Sequence, residues 1–245
     1  MTETQVLIRV QAKDGMFLGP DSFAGAFITI KEQSSGKELA SGFTDNGDSG
    51  SRQDTYLSNS SRQPIIAPTQ PPTLYWLTAD EGTVKFAASL ALSAPALLEF
   101  IVKVPLPAAQ GDQFFSVTQW VVPGKDLTVG PGFVIEIPGL WVQPEVVAIG
   151  DQVKIRAKVA MMCGCEINNN APWLPEDFAV TATIIPKSGS GAAFPNPVPL
   201  QFEANSQFAT AALTIAEKGD YTVRVDGFQQ STANTGSAVV DFSVG

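Results

Sequence analysis

At 245 residues the chain is long enough for one large or two ordinary domains, and it can bury a core without disulfide staples. Fifteen Lys and Arg against 24 Asp and Glu give a net charge of −9, which repels phosphate backbones and anionic bilayers, so neither nucleic acid nor membrane insertion is expected. Histidine is absent, which removes the commonest general base, the histidine-dependent nucleophile triads and imidazole metal sites, so no enzyme activity is expected.

Apolar residues make up 44% and charged residues 16%, a globular composition whose low charge hints at surface covered by a partner. No stretch approaches the roughly 18 apolar residues of a membrane helix. Met1-Thr2-Glu3-Thr4-Gln5 lacks a basic region followed by an apolar run, so no secretory signal is read. The cytoplasm is then the default compartment, an exported or processed form being the alternative.

Gln5 to Ala12 alternates, with Val6, Ile8 and Val10 on one face and Leu7, Arg9 and Gln11 on the other, the period of a strand. A second strand is expected from Ala24 to Lys31, with Ala26, Ile28 and Ile30 inward. Gln33-Ser34-Ser35-Gly36 turns the chain into a third, Lys37 to Thr44. This order of strand, Ser-Gly-Lys-Glu turn, Leu-Ala-Ser-Gly-Phe-Thr-Asp and Gly-rich loop resembles transthyretin-like and carboxypeptidase-regulatory-like β-sandwich modules over the first 45 or so residues. The resemblance implies a β-sandwich for the first half.

Asp45 to Thr73 reads as one long polar loop, either a mobile insertion carrying a short edge strand or a partner-binding segment. Asp45, Asn46 and Asp48 offer oxygen ligands without the spacing of a twelve-residue calcium loop, and Asn59 fits a glycosylation sequon. Three further strands are expected at Gly82 to Leu92, Ala96 to Val104 and Phe114 to Val122. The last two carry apolar residues on both faces: Leu98, Phe100, Val102 and Val104 against Leu97 and Ile101, then Phe115, Val117 and Val121 against Phe114 and Trp120. A simple sandwich strand keeps one face polar, so the loop, the other domain or another chain is expected over the second face. Phe114 and Trp120 are therefore candidate partner-binding residues.

Val134 to Ile137 gives a short strand, and Pro138-Gly139 marks a boundary between domains 1–137 and 138–245. Beyond it, strands are expected at Leu140 to Val142, Gln152 to Ala160, Phe178 to Ile185, Val198 to Glu203, Gln207 to Ile215, Asp220 to Gly227 and Ala238 to Val244. Their number and spacing resemble an immunoglobulin-like Greek-key sandwich. Glu217-Lys218-Gly219-Asp220-Tyr221 resembles the tyrosine corner of such domains, which implies that the Tyr221 ring packs inward while its hydroxyl bonds nearby backbone. The cysteine pair that joins the two sheets of antibody domains has no counterpart here. The fold class expected is thus all-β, two β-sandwich domains.

Chemistry is densest at Met161-Met162-Cys163-Gly164-Cys165, which holds both cysteines and two of the four methionines. Two thiolates with thioether from Met161 or Met162 form a soft set suited to copper(I), whereas zinc would need further carboxylate ligands or a second chain. A Cys163–Cys165 disulfide closing a small, labile ring is the redox alternative, and plain burial of small apolar residues at a strand end is the third. No cofactor is otherwise implied. Lys154, Arg156 and Lys158 line one outward strand face, either docking an acidic partner or paired across strands. Glu176-Asp177 beside Trp173 is the best local carboxylate pair for glycosidase-like chemistry, and Trp76, Trp120, Trp141 and Trp173 are candidate sugar-stacking platforms. The leading expectation is a non-enzymatic interaction or structural module, a subunit bound to a protein partner or to its own copies. A thiolate metal or redox protein and a carbohydrate-binding sandwich are the alternatives.

Overall fold

The computed structural model describes residues 1–19, 25–44, 62–64, 75–77, 84–170, 172–187 and 197–245. It is all-β, the described residues adding only one turn of 3₁₀ helix at Pro175–Asp177. None of its helices is long and apolar enough to cross a membrane. The chain divides into two compact units, Met1–Pro105 with Asp112–Ile137, and Leu106–Gly111 with Pro138–Gly245.

The first unit contains β1 (Thr2–Ala12), β2 (Phe27–Glu32), β3 (Glu38–Phe43), β4 (Arg62–Pro64), β5 (Tyr75–Leu77), β6 (Phe86–Leu92), β7 (Ala96–Val104), β8 (Gln113–Val121) and β9 (Phe133–Ile137). One sheet has the order β6-β1-β9, antiparallel on the β6 side and parallel on the β9 side, where Ile8 faces Phe133 and Ala12 faces Ile137. A second, antiparallel sheet has the order β3-β2-β7-β8. The alternation read from the sequence selects the inner faces: Val6, Ile8, Val10, Ile28, Ile30, Leu98, Phe100 and Val102 are all buried. The two sheets pack face to face as a β-sandwich. The Phe100 ring on β7 lies 4.8 Å from Phe133 on β9, and a Cβ on Gly42 of β3 would stand 2.6 Å from the Phe86 ring of β6. Gly42 thus lets the sheets close where a larger residue would prop them apart.

The polar side of β1 is covered as well. Arg9 is buried, and its guanidinium Nη1 donates to the Pro131 carbonyl at 2.5 Å, in the segment leading into β9. Most of the long loop expected over residues 45–73 lies outside the described residues, as do Asp45, Asn46, Asp48 and Asn59. β4 falls within it and pairs antiparallel with β5, just beyond its end.

The second unit contains β10 (Leu140–Ile149), β11 (Gln152–Met161), β12 (Phe178–Pro186), β13 (Val198–Ala204), β14 (Gln207–Ala209), β15 (Leu213–Thr214), β16 (Gly219–Gln229) and β17 (Thr235–Val244). They form one hydrogen-bonded path, β10-β11-β14-β13-β12-β16-β17, with β15 on β11. β13 links the halves, pairing with β12 through Val198 and Leu200 and with β14 through Gln201 and Phe202. The ends of the path approach each other, since a Cβ on Gly236 of β17 would collide with the Leu140 carbonyl of β10. The sheet is therefore nearly closed around Val142, Val153, Ile155, Val159, Val223 and Val225, all wholly buried.

Two departures from the sequence reading have local causes. β10 runs to Ile149 rather than stopping at Val142, because Pro144 sits on the terminal strand of the path, where a missing N–H is tolerated. The strand expected over Gln207 to Ile215 breaks into β14 and β15. At the break the Thr210 hydroxyl takes the Ile155 N–H at 3.1 Å, replacing a ladder bond, and β14 and β15 carry one more residue than β11 between the pairs Arg156–Ala209 and Val153–Leu213. Asn205 and Ser206 both have positive φ, 44° and 65°, the backbone of a tight turn whose twist matches the β13–β14 hairpin.

Candidate functional site

The cysteine stretch sits where β11 ends. Met161 and Met162 are wholly buried, Cys163 nearly so, and Cys165 is half-exposed. Gly164, with φ of 80°, lets the chain double back; its N–H donates to the Met161 carbonyl at 2.7 Å, and the Met161 N–H to the Cys165 carbonyl at 3.2 Å. This reversal joins Cys163 and Cys165 as a disulfide with Cα atoms 5.4 Å apart. In that form each sulfur is committed to the other, and a thiolate metal site would require prior reduction. Among the described residues no group of three or more acidic, cysteine or histidine side chains is arranged to hold a metal. Below the bridge, Ile167 is anchored by its N–H to the Ser206 hydroxyl at 2.8 Å and by its carbonyl to the Ser206 N–H at 2.8 Å.

The next turn fixes the carboxylate candidates. Asp177 accepts from Gln229 Nε2 at 3.1 Å, the Ser231 N–H at 2.9 Å and the Ser231 hydroxyl at 2.5 Å, which ties the start of β12 to the β16–β17 turn. Its oxygens are thus engaged in structure, while Glu176 is exposed and lends its backbone carbonyl to Gln230. Trp173 and Trp141 are buried and present no face to a sugar; the Trp76 side chain lies outside the described residues.

The three cations line up outward on β11, as the alternation requires, and each meets a neighbour. Lys154 forms an ion pair with Glu203 at 2.9 Å, Arg156 stands opposite Glu145, and Lys158 lies over the Trp141 ring at 5.6 Å. Glu203 has its pKa lowered, chiefly by the hydrogen bond from Lys154 and further by the charges of Lys154 and Arg156. Lys154 is thus paired across strands, while Arg156 is exposed on the same face.

The β8 surface is different. Phe114 is 65% exposed and Trp120 62% exposed on the outer face of the four-stranded sheet. Cross-strand register extends this surface: Phe43, Phe27, Lys103 and Phe114 form one row across β3, β2, β7 and β8. Phe27 and Phe43 meet edge to face at 4.9 Å, and the Lys103 ammonium, paired with Asp112 at 2.6 Å, lies 5.8 Å from the Phe114 ring centre. At the other end of β8, Trp120 stands beside half-buried Leu97, with Val122 exposed just beyond. Phe27 and Phe43 were missed by sequence reading, although the alternation of Ile28 and Ile30 already put Phe27 outward. No protein-family model and no curated protein matches the chain.

Proposed function

We propose that the chain is a non-enzymatic interaction module that docks a protein partner on the outer face of the β3-β2-β7-β8 sheet. The observation that carries this reading is the exposure of Phe114 and Trp120 on one strand, among aromatic and aliphatic neighbours on one sheet face. Large aromatics concentrated this way mark protein-binding surfaces, where they serve as anchors at low entropic cost. The first unit is read as transthyretin-like. The second is read as immunoglobulin-like, supported by its strand order, β13 bridging two halves, and the Tyr221 hydroxyl donating to the Glu217 carbonyl at 2.7 Å.

Oxidative footprinting tests the docking reading. In gently lysed cells that make the protein, Phe114 and Trp120 should be protected relative to the dilute purified chain. The double variant F114S/W120S should lose protection of Phe43 and Val122 while changing folding stability by only about 0.5 kcal/mol, as expected for exposed sites. Equal oxidation in cells and in dilute solution sinks the reading.

A second reading rests on the Cys163–Cys165 disulfide and its half-exposed Cys165. A two-residue spacing closes a small ring, and such bridges are the labile kind used in thiol exchange. A dithiol reductant should convert the folded protein to two free thiols with uptake of two electrons and two protons, leaving a pair able to bind copper or zinc. A bridge that resists reduction until the protein unfolds contradicts it.

A further inference from the structure

Among the described residues β8 has one hydrogen-bonded neighbour, β7, so its other side presents a nine-residue row of backbone donors and acceptors. Strands at sheet edges are ordinarily guarded against pairing with another chain by a charge, a proline or a bulge. Gln113–Val121 has none of these. It contains no Asp, Glu, Lys, Arg or Pro, and its register with β7 runs unbroken from Gln113 to Val121. On a chain of net charge −9, copies repel one another generally, so a contact between them must form where charge is locally missing. β8 is such a place.

The strand is also self-complementary. About Val117 as midpoint, Phe114 mirrors Trp120, Ser116 mirrors Thr118, and Val117 mirrors itself. If two copies of β8 pair antiparallel with the two-fold axis at Val117, these residues stand directly opposite: aromatic against aromatic, hydroxyl against hydroxyl, β-branched against itself. Those are the side-chain pairs that stabilise antiparallel ladders. The flanking rows agree. Lys103 beside Phe114 would extend toward the partner's Trp120 and Leu97, and Glu99 beside Thr118 toward the partner's Ser116 and Ile101, so no like charges are opposed.

We infer that the chain forms a two-fold dimer in which β8 pairs antiparallel with β8 of a second copy, merging two four-stranded sheets into one of eight strands. This rests on the reading above of Phe114 and Trp120 as partner-binding residues and names a second copy as the partner, met along the β8 edge rather than over the sheet face. Edge pairing leaves the rings on the outer face of the merged sheet, so Phe114 and the partner's Trp120 bury only the sides they turn to each other, at two symmetric contacts. The nine residues of each edge strand supply most of the contact, which places it at the small end of specific interfaces. Small contacts of this kind are transient, so association is expected to depend on concentration rather than to give a permanent dimer.

The full chain, studied by sedimentation equilibrium from about 1 to 200 µM, should pass from 25.9 kDa to twice that mass. W120K removes the ring at an exposed position and turns a second ammonium toward the partner's Lys103; it should weaken association at least about tenfold with an unchanged circular dichroism spectrum. Register is read separately with S116C and T118C, which remove neither aromatic. Oxidation of their mixture should give at least about tenfold more covalent dimer than either variant alone, because only the mixed pair is directly opposed. A dimer that ignores W120K, or that cross-links equally in the single variants, overturns the arrangement. A chain monomeric throughout overturns self-pairing; if Phe114 and Trp120 are then still protected in cells, the docking reading stands, and if they are not, both fall.

Discussion

The Tyr221 corner separates a hydrogen bond from a ring. Tyr221 is buried, stacks on Phe242 with ring centres 5.3 Å apart, and donates its hydroxyl to the Glu217 carbonyl at 2.7 Å. Y221F removes only the hydroxyl. Glu217 is exposed, so its freed carbonyl can rehydrate, and the cost should be the net value of one hydrogen bond, about 1 kcal/mol. Y221A also empties the ring site and ends the stack on Phe242, which should cost about 4 kcal/mol. For a unit of about 100 residues the first loss lowers Tm by about 4–8 °C. Urea unfolding followed by circular dichroism measures both, with the slope against denaturant required to stay constant so that the midpoint shift reports stability alone. A Y221F variant within about 0.3 kcal/mol of the parent would show that the corner bond contributes nothing net, and a Y221A loss under about 1 kcal/mol would contradict the burial of the ring.

Three further outcomes are expected. Replacing both cysteines by serine should cost about 1.5 kcal/mol, since a loop of about three residues gains little from closure; a loss above about 3 kcal/mol would make the bridge structural. G236A should cost more than about 2 kcal/mol, because its Cβ meets the Leu140 backbone carbonyl, which cannot yield without parting β10 from β17; G227A, meeting only the side chains of Leu140 and Val159 at 3.4 Å, should be far milder. The Glu203 carboxyl, held below the ordinary range by Lys154, favours the folded state at neutral pH and loses that contribution as acidification passes its folded-state pKa. K154M should return the Glu203 titration toward the usual carboxylate value in an NMR pH series, and an unmoved titration would refute the coupling.

Much of the architecture was written in local alternation. β7 falls on the residues its period picks out, because inward Leu98, Phe100 and Val102 leave no other register that buries them. What escaped was set by partners distant in sequence. Nothing around Pro144 announces a ten-residue strand, since only the terminal place of β10 in the path makes a proline acceptable there. Arg9 looked solvent-facing because its acceptor, the Pro131 carbonyl, is 122 residues away. At the candidate sites, composition pointed to Cys163, Cys165, Phe114 and Trp120, but alternation alone could not distinguish a lysine already paired, Lys154, from an aromatic row left open. That distinction depends on which strand stands next to which, and Glu203 reaches Lys154 from a strand 49 residues later.

The parallel pairing of β1 with β9 also sets how the first unit bears load. Thr2, at the start of β1, and Ile137, at the end of β9, lie at opposite ends of two strands that run the same way. Tension applied through these two points pulls β1 and β9 past each other lengthwise, so the bonds between Ile8 and Ala12 on one strand and Phe133 and Ile137 on the other are strained together rather than opened one at a time. The added links from Leu7 to Leu127 and from Lys13 to Ile137, at 3.2 and 2.8 Å, lengthen the same seam. Pulled from the ends of β1 and β9, this seam is loaded in shear, whereas a hairpin such as β7–β8 pulled from its two free ends opens one pair at a time.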